Sequence, residues 1–333
     1  MKTFIKVGVT LGDPNGIGPE IILKTFSDAH HLNDSIIVIY SPIEIIDYYL
    51  NTLELNISYN IINSSSDAKI GHVNVIPIEH SKFLVSMGIS NKSSGEIAFK
   101  SLCAASKDII QNKIDCIVTA PIDKNTIQNK HFYFNGHTEY FTNLSNENNS
   151  LMLMVKDKLK VGIVTNHIPV NEVSKSLTSI QILKKIELMH QALVTDFNIK
   201  NPKIALLGLN PHSGDMGLIG REEIEIINPT IKKANQNNFN VFGPFPADGF
   251  FASGNYQSFD GILGMYHDQG LIPFKILSQN EGVNFTAGLS FIRTSPDHGT
   301  AYDIVGKNKA NIKSFKNAVK TAKEIYLNRK MIN

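Results

Sequence analysis

Cysteine is nearly missing from this chain: Cys103 and Cys116 are the two among 333 residues. Two are too few for a disulfide framework, so both read as buried thiols of a reducing compartment. Nowhere do about 18 uncharged apolar residues run together, which excludes an ordinary membrane-spanning helix. No apolar stretch of signal-peptide length precedes Gly12-Asp13-Pro14, so a cytoplasmic protein is expected. The sequons at Asn56, Asn63 and Asn143 then carry no meaning, because glycosylation needs the secretory route. An excess of one charge is lacking too. Against 32 Lys and Arg stand 30 Asp and Glu, a net +2, with no block of like charge able to track a phosphate backbone. A nucleic-acid partner is not expected.

Two nucleotide signatures are also missing. Gly16-Ile17-Gly18 continues as Pro19-Glu20-Ile21, without the third glycine of an ordinary Rossmann fingerprint. The spacing from Gly299 to Gly306-Lys307 is wrong for a Walker A loop, which disfavours a triphosphate-dependent kinase. No internal repeat and no Pro/Ser-rich linker divides the chain.

What is present is globular. With 42% hydrophobic and 19% charged residues, a chain of this length has material for about two domains. Apolar runs at Ile5–Thr10, Ser35–Tyr40, Ile114–Thr119, Lys160–Thr165, Lys203–Leu209 and Gly261–Met265 alternate with amphipathic segments. That alternation predicts an α/β protein with a largely parallel sheet. Ser93-x-x-Glu96 and Thr178-x-x-Gln181 read as capping boxes opening two helices, the first with Ile97, Ala98, Leu102, Ala105 and Ile109 on one face. Ile312, Phe315, Val319, Ala322 and Ile325 predict a packed C-terminal helix. Asn51 to Ala68 is Asn/Ser-rich and reads as an irregular or edge region. Two domains sharing the chain discontinuously fit this pattern.

Several polar turns carry possible chemistry. Thr10–Glu20 is a glycine-rich strand-to-helix turn with Pro19 at the start of the helix, either an anion or cofactor dock or a plain connection. His167, His212 and His267 each follow a strand-like run. Ligands of open parallel sheets bind outside the strands' carboxyl ends, so the three imidazoles would point toward one crevice and suit Zn²⁺ or a similar ion. The plainer alternative is three hydrogen-bonded structural histidines. Carboxylates beside two of them, Asp215 and Asp268, resemble the partners that fix a ligand's tautomer.

Asn135-Gly136-His137-Thr138-Glu139 is either a carboxylate or phosphate contact or a helix cap. Lys275 and Arg293 are isolated cations in apolar runs, where desolvation is costly without an anion, from a substrate or from a structural ion pair. Asp297–Lys307 gathers small residues and carboxylates. It permits close approach of a planar ring, with Asp303 either on a ribose hydroxyl or capping a turn.

Taken together, Thr10–Glu20, Thr119–Lys124, Gly136–Phe141, Asn166–Val170, Leu209–Glu223, Gly243–Phe250, Tyr266–Lys275 and Asn284–Lys307 resemble the 4-hydroxythreonine-4-phosphate dehydrogenase family of pyridoxal phosphate biosynthesis. That family resembles isopropylmalate and isocitrate dehydrogenases in turn. Here Pro14-Asn15 is inserted in their first glycine signature, and Tyr302 replaces proline in their second. The resemblance implies two α/β/α domains, residues 1–135 with 295–333 and residues 136–294, with the active site in the cleft between them. It implies one divalent metal per site, Zn, Mg or Co, on His167, His212 and His267, completed across a homodimer. Substrate contacts are implied at His137, Thr138, Lys275, Asn284 and Arg293.

Nicotinamide dinucleotide, NAD or NADP, is implied at the loop starting at His298, with Gly299, Thr300, Ala301 and Asp303, beside Gly12 and Asp13 of the first turn. Asp248 and Asp268 are the candidates for proton transfer or for orienting the ligands. The implied reaction oxidises the 3-hydroxyl of 4-phosphooxy-L-threonine, and the resulting 2-amino-3-oxo-4-(phosphooxy)butanoate loses CO2 to give 3-amino-2-oxopropyl phosphate. Two alternatives stand beside it: a dehydrogenase of a phosphorylated sugar acid such as threonate 4-phosphate, and a metal-independent phosphate acyltransferase.

Overall fold

A computed structural model describes residues 4–28, 32, 35–147 and 149–332. The chain forms two compact units, Met1–Phe141 with Ser290–Tyr326, and Thr142–Leu289 with Leu327–Asn333. No described helix is long and apolar enough to cross a membrane.

The first unit runs β1 (Ile5–Thr10), α1 (Gly18–Phe26), β2 (Ser35–Tyr40), α2 (Ile43–Thr52), β3 (Tyr59–Ile61), β4 (Val73–Ile76), α3 (Lys92–Ile110), β5 (Cys116–Thr119) and α4 (His137–Leu144). Its strands lie in the order β3-β4-β2-β1-β5, every pair parallel. Strands covered on both faces need continuous apolar runs, and β2 is buried at every position. β3 forms the edge and a 3₁₀ turn at Ser65–Asp67 follows it, in keeping with the polar composition there. α3 buries the expected stripe, but its cap is Asn91 rather than Ser93. The Asn91 Oδ1 accepts the Ser94 N–H at 2.9 Å, so Ser93 falls inside the first turn. Cys116 is buried in β5, whereas Cys103 lies beside the buried stripe of α3 and is half-buried.

The second unit contains β6 (Leu151–Lys156), β7 (Leu159–Thr165), α5 (Val170–Ser176), α6 (Ser179–Thr195), β8 (Lys203–Leu207), α7 (Asn228–Gln236), β9 (Asn240–Phe245), α8 (Ala247–Ala252), β10 (Gly261–Tyr266), α9 (His267–Ser278) and β11 (Val283–Ala287). Its strand order is β11-β6-β7-β10-β8-β9. From β7 to β9 the pairs are parallel, while β6 runs against both neighbours. The reason is local: Asp157-Lys158 closes a tight hairpin between β6 and β7, with Asp157 at φ 49°. Thr178 caps α6 by accepting the Gln181 N–H at 3.2 Å. Met152, Val161, Ile163, Ala205, Leu207 and Ile262 from the strands pack with Phe250 of α8 and Phe274 of α9. This packing fixes the carboxyl ends of β7, β8 and β10, from which the histidines project.

The chain then returns to the first unit through β12 (Arg293–Pro296), parallel to β5 with Arg293 opposite Ile117. α10 (Lys313–Ile332) buries Phe315, Val319, Ala322 and Ile325, as the spacing predicts, and Ile312 precedes its first turn. Near its end, Arg329 Nε donates to Asp196 Oδ1 at 2.6 Å, which ties the last turns to the second unit.

Candidate active site

In the second unit, His167 lies just past β7 and His267 opens α9 directly after β10. Their ring centroids are 5.9 Å apart at an interplanar angle of 42°. His267 Nδ1 is 2.7 Å from Asp268 Oδ1. A carboxylate there favours the proton on Nδ1 and leaves the Nε2 lone pair for a ligand. His212, reached from β8 through Gly208-Leu209-Asn210, is exposed and lines a cavity of about 450 Å³ with Asp248, Tyr266, Asp268 and Gln269. Gln269 joins the ends of two strands: its amide donates to Gly208 O and its carbonyl accepts the Met265 N–H at 2.7 Å.

These donors have the chemistry of a divalent-cation site, with imidazoles as ligands and a carboxylate orienting one of them. Within one chain, the His167 and His267 rings approach each other in a tilted arrangement. Among the described residues no group of three His, Cys, Asp or Glu side chains is close enough to hold a metal ion. Lys275 is exposed on α9, so the desolvation expected from its apolar neighbours does not arise there; Ile272 and Ile276 are themselves exposed. Asn284 of β11 keeps its Oδ1 buried without a hydrogen-bond partner, as does Asn166 beside His167.

The first unit holds a different kind of polar cluster. Arg293 on β12 is 2% exposed, its Nε and Nη2 reaching Thr119 Oγ1 at 3.2 and 2.8 Å, with Phe141 5.8 Å beneath the guanidinium. Burial lowers its pKa to about 9, opposed by the charge of Glu139. His137, the first residue of α4, has its Nε2 buried with no partner. Burial, then the charges of Arg293 and Lys124, push the imidazole well below its ordinary range. Thr138 is buried next to it. A neutral imidazole beside a desolvated guanidinium favours an anionic, hydrogen-bonding ligand.

The first glycine turn and the loop at 298–303 pack on each other. Ile17 N–H donates to Thr300 O at 2.9 Å, and Tyr302 Oη reaches Asp13. Gly12 requires its φ of 70°, since a Cβ would lie 2.4 Å from Pro121 O. Asp13 is fully buried, and its carboxylate accepts from Asn15 N–H, Ser94 Oγ and Tyr302 Oη. Asp13 therefore braces the loop through Tyr302, while Gly12 lets the turn pack against Ala120 and Pro121. Gly299 and Asp303 are exposed, and a Cβ added at Gly299 would meet nothing within 4 Å. His298, Thr300 and Ala301 are half-buried between them. An open glycine with a nearby free carboxylate fits the approach of a planar ring and a ribose.

A family profile described as pyridoxal phosphate biosynthetic protein PdxA matches residues 33–322. The chain belongs to this family. It is 45% identical over 326 residues to a 4-hydroxythreonine-4-phosphate dehydrogenase of Bacteroides thetaiotaomicron, covering 98% of this chain and 90% of that one. The crystal structure of a 4-hydroxythreonine-4-phosphate dehydrogenase from Klebsiella pneumoniae matches with a TM-score of 0.85 at 33% identity, over 98% of both chains. A β-decarboxylating dehydrogenase from Thermococcus kodakarensis matches with a TM-score of 0.50 over 97% of this chain and 84% of that one; at 13% identity this speaks for the fold alone. The α/β class expected from the sequence holds, and by family the chain is an oxidoreductase of pyridoxal phosphate biosynthesis.

Within that family frame, the sequence pointed to residues in both units: His137, Thr138 and Arg293 in the first, the three histidines, Asp248, Asp268, Lys275 and Asn284 in the second. It did not point to Thr119, which holds Arg293, to Gln269, or to Glu223. All three fall inside stretches that carried the family resemblance. The signal was available as motif membership, but their roles exist only as contacts between distant segments.

Proposed function

We propose that this chain oxidises the 3-hydroxyl of 4-phosphooxy-L-threonine with NAD or NADP, and that the 3-oxo acid loses CO2 to give 3-amino-2-oxopropyl phosphate. The observation that carries this reading is the pairing of the buried Arg293 guanidinium with the neutral, partnerless Nε2 of His137. That pairing suits one anionic group and one exchangeable proton on the same small molecule. Arg293 and Lys275 bind the phosphate and carboxylate by charge, with Thr138 and Asn284 as hydrogen-bonding partners that fix orientation. The substrate's hydroxyl or amino group satisfies the orphaned Asn284 Oδ1 as an acceptor. His137 holds or accepts a proton at Nε2, and its low basicity keeps it neutral at physiological pH.

His167, His212 and His267 would hold the divalent metal, Zn, Mg or Co, with Asp268 fixing the His267 tautomer and Asp248 facing the same cavity. When bound, the metal supplies Lewis acidity toward the substrate hydroxyl and ketone oxygens, and the nicotinamide accepts the hydride. The open loop at Gly299 and Asp303 receives the dinucleotide, with Gly12 and Asp13 in the adjoining turn and Asp13 bracing the loop through Tyr302. A homodimer belongs to the same proposal. Met216 is 93% exposed, Leu218 81% and Ile224 41%, an apolar strip close to His212 in sequence that a second copy would cover. Histidines from both copies would then complete each site. The proposed functional domains are residues 1–135 with 295–333, and 136–294, and the proposed compartment is the cytoplasm.

The test is direct. Purified protein with divalent metal, NAD⁺ or NADP⁺ and 4-phosphooxy-L-threonine should show rising absorbance of the reduced nicotinamide, and a chelator should abolish the rise. No change with either dinucleotide across the three metals overturns the reading.

A further inference from the structure

We propose that Glu223 is a positioning residue that holds the left-handed turn presenting His212. The proposal rests on the reading of His212 as a metal ligand. His212, Ser213, Gly214, Asp215 and Met216 have φ values of 53°, 51°, 80°, 42° and 53°. A run of left-handed residues is unfavourable for every side chain except glycine, because Cβ crowds the following carbonyl. Such a run persists only where its surroundings over-determine it, and unusual backbone of this kind concentrates where a side chain must be aimed.

Glu223 supplies that constraint. It is 2% exposed, at the start of a π-helical turn over Glu223–Ile227 that leads into α7. Its Oε1 accepts the N–H groups of Leu209 and Asn210, each at 2.7 Å, and its Oε2 accepts Asn210 Nδ2 at 2.8 Å. Three donors from the segment that enters the turn thus converge on one buried carboxylate. The turn also wraps onto that carboxylate from the other side, since a Cβ on Gly214 would lie 2.6 Å from Oε2. Only a glycine fits there, for reasons of both space and backbone. Glu222 helps from outside, accepting Asn210 Nδ2 at 2.8 Å. Without the Glu223 oxygens, the Leu209 and Asn210 N–H groups lose their partners. The turn is then free to relax toward right-handed geometry, which displaces the His212 Cα and its ring.

The full chain loaded with Zn²⁺ is titrated with a chromophoric chelator, and the visible spectrum of the Co²⁺-loaded protein is recorded in parallel. Glu223→Ala is expected to weaken Zn²⁺ binding roughly 10–100-fold, the range typical of residues that orient a ligand. It should also shift the Co²⁺ bands. Glu223→Gln keeps an oxygen for the Leu209 and Asn210 N–H groups and should recover most of the loss. A role in stability alone would lower the melting temperature and leave both metal readouts unchanged in the folded protein; that result overturns the proposal. If Glu223→Ala does not fold, Gly214→Ala presses a methyl group on the same carboxylate, and unchanged Zn²⁺ affinity in that variant overturns the proposal equally. His212→Ala separates the two ideas. Unchanged Zn²⁺ affinity there overturns the reading of His212 as a ligand, whereas a loss there with none in Glu223→Ala overturns the positioning role alone.

Discussion

The Tyr302 hydroxyl lies 2.9 Å from Asp13 Oδ2 and joins two residues 289 positions apart in the chain. The same oxygen is 3.2 Å from Asp123 Oδ2. A phenol has one proton, so it donates to one carboxylate at a time. Burial raises the Asp13 pKa, opposed by its bonds from Asn15, Tyr302 and Ser94. At Asp123 the burial effect is outweighed by hydrogen bonds from Ser90, Asn125, Thr126 and Tyr302, and the pKa falls. Of the two acids, Asp13 is thus the one that more readily holds a proton, which would let both contacts be hydrogen bonds. The inserted Asn15 belongs to the same assembly: its side chain accepts the Ser86 N–H at 2.8 Å and donates to Ile89 O at 2.9 Å. Asn15 and Tyr302 therefore serve one structure, which joins the first glycine turn to the 298–303 loop.

Tyr302→Phe removes the hydroxyl that spans the two acids. Unfolding by urea should show a loss of about 0.5–1.5 kcal/mol, the net worth of one hydrogen bond, because Asn15 and Ser94 still donate to Asp13 and Ser90 to Asp123. With the loop as the dinucleotide site, KM for NAD(P)⁺ should rise more than KM for the phosphorylated substrate. Equal effects on the two constants would show that the loop does not depend on this hydroxyl.

Asp13 gives a stability signature with a definite sign. Its folded pKa is raised above the ordinary 3.8, so its contribution is fully present below that value and is lost as pH rises through the folded pKa. Asp13→Asn mimics the neutral acid. The melting temperature of the variant relative to the native chain should therefore increase with pH above 3.8 and then level off. A difference that is flat with pH would mean that Asp13 folds at its ordinary basicity.

His137 behaves oppositely. Its folded pKa is depressed below 6.5, so the neutral imidazole stabilises fully above that value and the contribution is lost as pH falls from 6.5 through the folded pKa. NMR titration of its ring proton should show no midpoint near 6.5, and His137→Gln should flatten the acid side of the stability profile. A normal midpoint would show that the ring reaches water.

Arg293→Met separates binding from folding. A buried guanidinium is costly to desolvate, so an apolar side chain of similar length should leave the melting temperature unchanged or higher. As an anion partner, Arg293 should cost kcat/KM roughly 100-fold or more when removed. Full activity in a folded Arg293→Met chain would exclude it from the substrate site.

The placement of several candidate residues was legible in sequence because strand ends are legible there. Apolar runs bounded by polar turns located β7, β8 and β10 to within a residue or two; His167 and His267 follow their strands closely, and His212 lies one short turn beyond β8. Arg293 stood out as a charge in an apolar run and is buried; Lys275 looked the same but faces solvent, because it lies on the side of α9 with the exposed Ile272 and Ile276, opposite the buried Leu271 and Phe274. The Asn91 cap was missed because Asn91, Ser93 and Ser94 all have side chains that can bond a first-turn N–H, and propensity does not rank them.

Local order along the chain thus decided the α/β class, the strand-end histidines and the membership of each motif, since hydrophobic period and turn chemistry act over a few residues. Tertiary structure alone decided which of those residues meet. Tyr302 on Asp13, Thr119 on Arg293 and Glu223 under the His212 turn are contacts whose energies depend on burial, and burial is a property of the packed chain rather than of any segment of it.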